Sequence, residues 1–259
     1  MSTPLPPWPY PRWIAHRGAG KLAPENTLSA FRLGAQHGYR MFECDAKLSD
    51  DGVLFLLHDT ELERTTNGHG SASAQSWGEL AQLDAGSWHS RAYAGEPLPT
   101  LEAVVRWCLA NQLQLNIEIK PTPGQEADTG AACAQQLAQW WPEDRVPPLL
   151  TSFQPEALRA ARRTAPQWPR GLLVDAWTED HGGRAVLAQA QALGCQVLVL
   201  NHGLWTPELV AQTHAAGLRC SSYTVNDVWA AQRLLDLGTD GIITDRVDLF
   251  SPAQDGPLL

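Results

Sequence analysis

Short apolar runs alternate with helix-periodic stretches along nearly the whole chain, and this alternation restricts the fold more than any other feature. Strand-like runs lie near residues 13, 41, 115, 148, 171, 196, 219 and 241. Between them, apolar residues recur at helical spacing, as in Leu28, Phe31 and Ala35, or Leu101, Val104, Val105 and Cys108. Strands that alternate with helices pack as a parallel sheet, because each helix returns the chain to the same edge. Eight such units in 259 residues average roughly 30 residues each, which predicts a closed (β/α)8 TIM barrel over 1–259 as a single domain. An open doubly wound sheet is the alternative. It is weakened because His16-Arg17-Gly18-Ala19-Gly20 after the first strand is not a dinucleotide-binding fingerprint.

One place breaks the rhythm. The strand Met41–Lys47 is followed by the turn Asp50-Asp51-Gly52 and a second apolar run, Val53–Leu57, which predicts a hairpin. Residues 60–99 then lack a long periodic apolar face and read as an insertion over one end of the barrel, with a short helix at Ser76–Leu83. The first helix is expected over Asn26–Gly38, with Asn26 or Thr27 as its cap and Glu25 near the mouth of any site there. Later helices are expected near 127–141, 156–164, 184–193, 207–216 and 228–237.

Composition narrows the function. Hydrophobic residues make up 44% of the chain and charged residues 18%, enough for a large core. A net charge of -9 removes the electrostatic motive for binding nucleic acid or an anionic membrane. No apolar run approaches the roughly 20 residues of a membrane span. The Pro/Trp-rich start lacks the pattern of a secretory signal and is expected to cover the bottom of the barrel or a neighbouring subunit. Five scattered cysteines (Cys44, Cys108, Cys133, Cys195 and Cys220) without a C-x-x-C pair fit a reduced, cytoplasmic protein, with Cys44 packed away from its acidic neighbours.

Those neighbours carry the chemistry. Glu43 and Asp45 lie two apart on a strand and so share one face. Two carboxylates there repel unless a cation lies between them, and Glu118 on a later strand completes a three-carboxylate cup for a hard divalent ion. The simpler alternatives are an exposed strand edge for Glu43 and Asp45, and a pair with Lys120 for Glu118. His16 and His58 each follow an apolar run, and two imidazoles beside a carboxylate cup suit proton acceptance and donation. Arg17 is a candidate phosphate clamp, and Lys120 a further point charge. Trp88 and Trp177 are candidates for a pocket wall, whereas His37, His69, His89, His181, His202 and His214 are expected to be structural or superficial.

Ala-His-Arg-Gly (15–18), Pro-Glu-Asn-Thr (24–27), Phe-Glu-Cys-Asp (42–45), the Asp51–Asp59 segment and Asn-Ile-Glu-Ile-Lys (116–120) resemble the glycerophosphodiester phosphodiesterase family. So do Arg64-Thr-Thr-Asn-Gly, Thr-Ser-Phe (151–153), Tyr-Thr-Val-Asn (223–226) and Asp-Gly-Ile-Ile-Thr-Asp (240–245), in the same order along nearly the whole chain. The resemblance implies a (β/α)8 barrel that hydrolyses glycerophosphodiesters to glycerol 3-phosphate and an alcohol. It implies one divalent cation, Ca2+ or Mg2+, held by Glu43, Asp45 and Glu118. It also implies His16 and His58 as acid and base, and Arg17 and Lys120 on the phosphate. Tyr223 stands where a Trp is common in the family and is expected to contact substrate on the glycerol or head-group side. A lysophospholipase D-type lipid phosphodiesterase and a non-catalytic phosphodiester-binding barrel are the competing functions. The second would require loss of a histidine or carboxylate, and none is lost. Neither stable membrane anchoring nor a nucleic-acid partner is expected.

Overall fold

Successive strand residues face opposite layers, and in this chain both layers are apolar, as helices on one side and a filled barrel on the other require. The computed structural model describes residues 5, 7–178 and 182–253, so His181 and the first residues of the lead-in lie outside it. In chain order the elements are β1 (Trp13–Ala15), α1 (Leu28–Gln36), β2 (Met41–Leu48), β3 (Leu54–Leu56), α2 (Trp77–Leu80), α3 (Leu101–Ala110), β4 (Gln114–Ile119), α4 (Glu126–Trp140) and β5 (Leu149–Ser152). They continue as α5 (Pro155–Thr164), β6 (Arg170–Val174), α6 (Gly183–Ala192), β7 (Val197–Asn201), α7 (Pro207–Ala215), β8 (Arg219–Tyr223), α8 (Val228–Leu237) and β9 (Gly241–Thr244). β1 pairs in parallel with both β2 and β9, which closes eight parallel strands into a barrel. β3 lies outside that ring as the antiparallel hairpin partner of β2, with Ala46 opposite Leu56.

Ile14, Met41, Leu149, Leu173, Val197, Val199 and Ile243 fill the barrel interior. Trp8 and Tyr10 pack below them, and the Tyr10 hydroxyl donates to the Pro147 carbonyl at 2.9 Å. The described part of the lead-in therefore plugs the amino-terminal end of the barrel, as its composition suggested. The opposite strand face, including Phe42, Cys44, Ala46, Leu115, Ile117 and Ile119, packs on the helices through Phe31, Val104 and Leu137. Cys44 thus points away from its acidic neighbours, and all five cysteines are free and buried.

The first helix begins later than expected. Thr27 is its cap, accepting from the Ala30 N–H, while Asn26 turns into the left-handed region with φ 59°. Gly20, also left-handed, lies so close to the end of β9 that a Cβ would fall 2.1 Å from the Asp245 carbonyl oxygen.

The insertion has a core the sequence did not reveal. Phe55, Leu57, Leu62, Ala72, Leu80, Ala85 and Leu98 cluster there, but turns rather than a helix bring them together, so no period was visible. The helix expected over Ser76–Leu83 shrinks to Trp77–Leu80, opened by a reciprocal Ser76–Glu79 cap. Glu96 fastens the insertion to the start of α1 by accepting from the Ser29 N–H and hydroxyl. Among the described residues, no helix is long and apolar enough to cross a membrane.

Candidate functional site

The alternation that packs the interior also sets what stands above it. Two residues beyond Ile14, Leu173, Val199 and Ile243 come His16, Asp175, Asn201 and Asp245. With Glu43 and Asp45 from β2, Glu118 from β4, Phe153 after β5 and Tyr223 from β8, every barrel strand sends a side chain to its carboxyl end. There a cavity is lined by His16, Arg17, Glu43, His58, Glu118, Lys120 and Tyr223, together with Asn116, Thr151 and Phe153. The sequence-derived site residues thus meet in one place, with Asp45 just behind the wall. Trp88 and Trp177 do not line this cavity; Trp88 instead donates to the Ala85 carbonyl within the insertion.

Strand register builds the acidic centre. Asp45 stands beside Glu118, and Glu43 beside Asn116, across the parallel β2–β4 pair. Carboxylate oxygens of Glu43, Asp45 and Glu118 lie within 4.8 Å of one another, and all three residues are buried. Burial and then the Asp45 charge push the Glu118 carboxyl up to about 7, against Lys120. Burial, followed by Asp45 and Glu118, raises Glu43 as well. Burial would raise Asp45 too, but Arg17, His58 and Lys120 outweigh it and hold this acid well below its usual range. Asp45 Oδ1 is buried and accepts no hydrogen bond, with Lys120 Nζ 3.8 Å away. An unsatisfied buried oxygen within a repelling carboxylate trio fits a hard divalent cation. Lys120 also pairs with Glu118 at 2.7 Å, so the simpler role weighed for Glu118 coexists with the acidic cup.

Each histidine is oriented by its own carboxylate. His16 Nδ1 lies 2.6 Å from Asp245 Oδ1, and Asp245 is in turn fixed by the Asn226 side-chain amide at 2.9 Å. His16 Nε2 lies 3.7 Å from Glu43 Oε2. His58 Nδ1 lies 2.6 Å from Asp59 Oδ1. Both rings are tied to a carboxylate through Nδ1, and Nε2 takes no part in either of these bonds. Burial lowers the His58 pKa below its usual value, chiefly opposed by Asp45.

Several contacts at this site were not anticipated. The Asn26 amide clamps Asp45, donating to Oδ2 at 2.8 Å and accepting from the backbone N–H at 3.1 Å. Arg17, left-handed at φ 51°, gives its backbone N–H to Glu43 and its guanidinium to Glu25 at 2.8 Å. Arg64, from the insertion, grips Glu25 through both terminal nitrogens at 2.9 and 2.8 Å and also holds Asp59. A chain of charges therefore runs from Arg17 through Glu25, Arg64 and Asp59 to His58. Lys47, two residues beyond Asp45, is buried with its pKa pushed down to about 8 by burial, and donates to the Lys120 carbonyl at 3.1 Å.

A second group with metal-binding side chains, His214, Cys220 and Asp240, lies away from this cavity. Asp240 is already committed there, to the His214 ring at 2.8 Å, Arg219 at 2.7 Å and the Cys220 N–H at 2.8 Å. It ties α7 to β8 and matches the structural role expected for His214.

Comparison with known proteins places the chain in a family. The model of the glycerophosphoryl diester phosphodiesterase family matches residues 16–249. The chain is 33% identical over 239 residues to a glycerophosphodiester phosphodiesterase of Caldanaerobacter subterraneus subsp. tengcongensis, covering 90% of this chain and 93% of that protein. It is 34% identical over 242 residues to the YhdW protein of Bacillus subtilis, covering 92% and 95%. Among solved structures, an Oleispira antarctica phosphodiesterase in complex with its product sn-glycerol-3-phosphate superposes with a TM-score of 0.85 at 36% identity, covering 91% of this chain and 93% of that one.

Proposed function

The chain belongs to the glycerophosphoryl diester phosphodiesterase family, and we propose that it hydrolyses glycerophosphodiesters to glycerol 3-phosphate and an alcohol with the aid of one divalent cation, Ca2+ or Mg2+. The observation that carries the metal is the buried Glu43–Asp45–Glu118 trio with its unsatisfied oxygen, set among two oriented imidazoles and two cations in one cavity. Bound there, the ion would supply Lewis acidity toward a phosphate oxygen and acidify an attacking hydroxyl or water. Arg17 and Lys120 face the same cavity and neutralise phosphate oxygens. His16 and His58 move the two protons: one Nε2 accepts from the nucleophile, the other donates to the leaving alkoxide. Asp245 and Asp59 keep each ring in the tautomer those roles need. Tyr223 shapes the wall beyond the phosphate. The buried, unpaired cysteines accord with a reducing, cytoplasmic setting. Release of glycerol 3-phosphate from glycerophosphocholine, measured with and without chelator, tests the whole reading; no release in the presence of either ion defeats it.

The acidic trio also sets a pH dependence. Glu118 moves from a usual 4.5 to about 7 in the metal-free fold, and Glu43 shifts the same way. Between those values the folded chain holds protons that the unfolded chain has released, so stability falls as pH rises through that window. His58, with its lowered pKa, acts in the opposite sense just below 6.5, one group against two. The lowered acids Asp59 and Asp245, each near 2, contribute only in more acidic solution. Thermal melts between pH 5 and pH 7.5 are expected to show Tm falling with pH in chelator and not in saturating Ca2+. Equal slopes in both would mean that the carboxylates do not share a cation.

Arg64 gives a further expectation. Arg64→Ala frees Glu25 and Asp59 together and loosens both Arg17 and His58. Small displacements of positioned groups cost up to about 100-fold. Steady-state kinetics are expected to show the loss mainly in kcat, with Arg64→Lys intermediate because it keeps the charge but not the fork. Wild-type kinetics in Arg64→Ala would show the bridge to be superficial.

A further inference from the structure

The acids around the mouth divide into two kinds. Glu25, Asp45, Asp59, Glu118 and Asp245 each face a cationic or imidazole side chain. Asp175 does not. It follows β6 on the opposite side of the ring, and among the described residues it accepts only from neutral donors: the Asn201 amide at 3.1 Å and the Tyr223 hydroxyl at 3.4 Å, both to Oδ1. Among the described residues no partner engages Oδ2.

Position makes this carboxylate relevant to substrate. Asp175 lies two residues beyond Leu173, which lines the cavity, and so shares its inward phase. Tyr223, within hydrogen-bond distance of it, is itself part of the cavity wall. The Phe153 ring meets Tyr223 edge-on with centroids 5.7 Å apart, and its own face is already taken by the Lys120 ammonium, 5.2 Å from the centroid, so Asp175 is the group beside Tyr223 left for a second cation. The phosphate-binding cations Arg17 and Lys120 are paired with Glu25, Asp45 and Glu118 instead.

We infer that Asp175, with Tyr223 and Asn201, forms a head-group subsite that selects diesters whose leaving alcohol carries an ammonium group. The inference rests on the phosphodiesterase reading and names the substrate class of that same site. A carboxylate orientated by two neutral donors, with no cationic neighbour among the described residues, is left to attract a cationic guest. A zwitterionic diester also suits a chain of net charge -9 better than one carrying only the phosphate charge. Tyr223 and Asn201 hold the acid in place; neither supplies the attraction.

The test compares wild type with Asp175→Asn, which preserves shape and removes the charge. Glycerophosphocholine and glycerophosphoethanolamine are assayed against glycerophosphoglycerol, whose leaving alcohol is neutral. One exposed charge contact is worth about a fivefold change in kcat/KM. The ratio of each cationic substrate to glycerophosphoglycerol is expected to fall by about that factor in the variant, through KM, and the wild-type ratio to shrink in high salt. An unchanged ratio, whatever the absolute loss, overturns the inference and makes Asp175 a structural residue. Asp175→Ser, read the same way, covers the case in which the asparagine variant fails to fold. Absence of turnover by wild type on all three substrates defeats the parent reading and this one together.

Discussion

Replacing His58 with alanine is expected to lower kcat by about 10²–10⁴-fold, the usual worth of a positioned proton carrier, and His16→Ala is expected to do the same. Neither ring belongs to the acidic trio, so cation affinity measured by calorimetry should stay close to wild type. Neither supports the core, so Tm should move little. Both imidazoles are tied at Nδ1, His16 by Asp245 and His58 by Asp59, and the remaining nitrogen is the one proposed to carry the proton. Asp245→Asn should therefore reproduce part of the His16→Ala loss by releasing the tautomer rather than removing the base. A histidine variant that keeps more than about a tenth of wild-type kcat would show that the proton travels by another route.

Removing one carboxylate from the acidic trio is the second large effect. Glu43→Gln is expected to weaken Ca2+ or Mg2+ binding by more than about tenfold, with activity partly restored by excess cation. Asp45→Asn should be harsher and resist rescue, because Asp45 also anchors Asn26 and faces Arg17 and Lys120. Chelation of the wild-type protein should abolish turnover and re-addition of the ion should return it. Full activity after exhaustive chelation would sink the metal assignment. Calorimetric titration of each ion into chelated protein separates lost binding from lost chemistry.

The acidic trio was legible in the sequence because it obeys a local rule: alternation puts Glu43, Asp45 and Glu118 on the inward faces of their strands. The eight-strand count was legible for the same reason, since each unit carries its own apolar period. The supports were not. Asn26 looks like an ordinary helix cap, yet its left-handed backbone turns the amide onto Asp45, and only the tertiary approach of β2 calls for that. Arg64 lies in a segment whose core is assembled by turns, so nothing periodic marked where its side chain would go. Asp245 is 229 positions from His16, and no local pattern joins the two. Trp88 and Trp177 failed as wall residues for a related reason: chemical type suggests a pocket lining, but phase and loop path decide it.

Ring closure has a consequence for how this protein acquires activity during its synthesis. β1, the barrel's first strand, finds its neighbour β9 only when the barrel's eighth strand exists, and Asp245, which holds His16, follows β9 directly. A nascent chain halted just before that strand already carries the three acids, both imidazoles and the cationic residues Arg17 and Lys120. It lacks the residue that aims one of the rings, and the seam beside that ring is open. Turnover therefore reports completion of the barrel, and a ribosome-stalled series of growing lengths should stay silent until its final members.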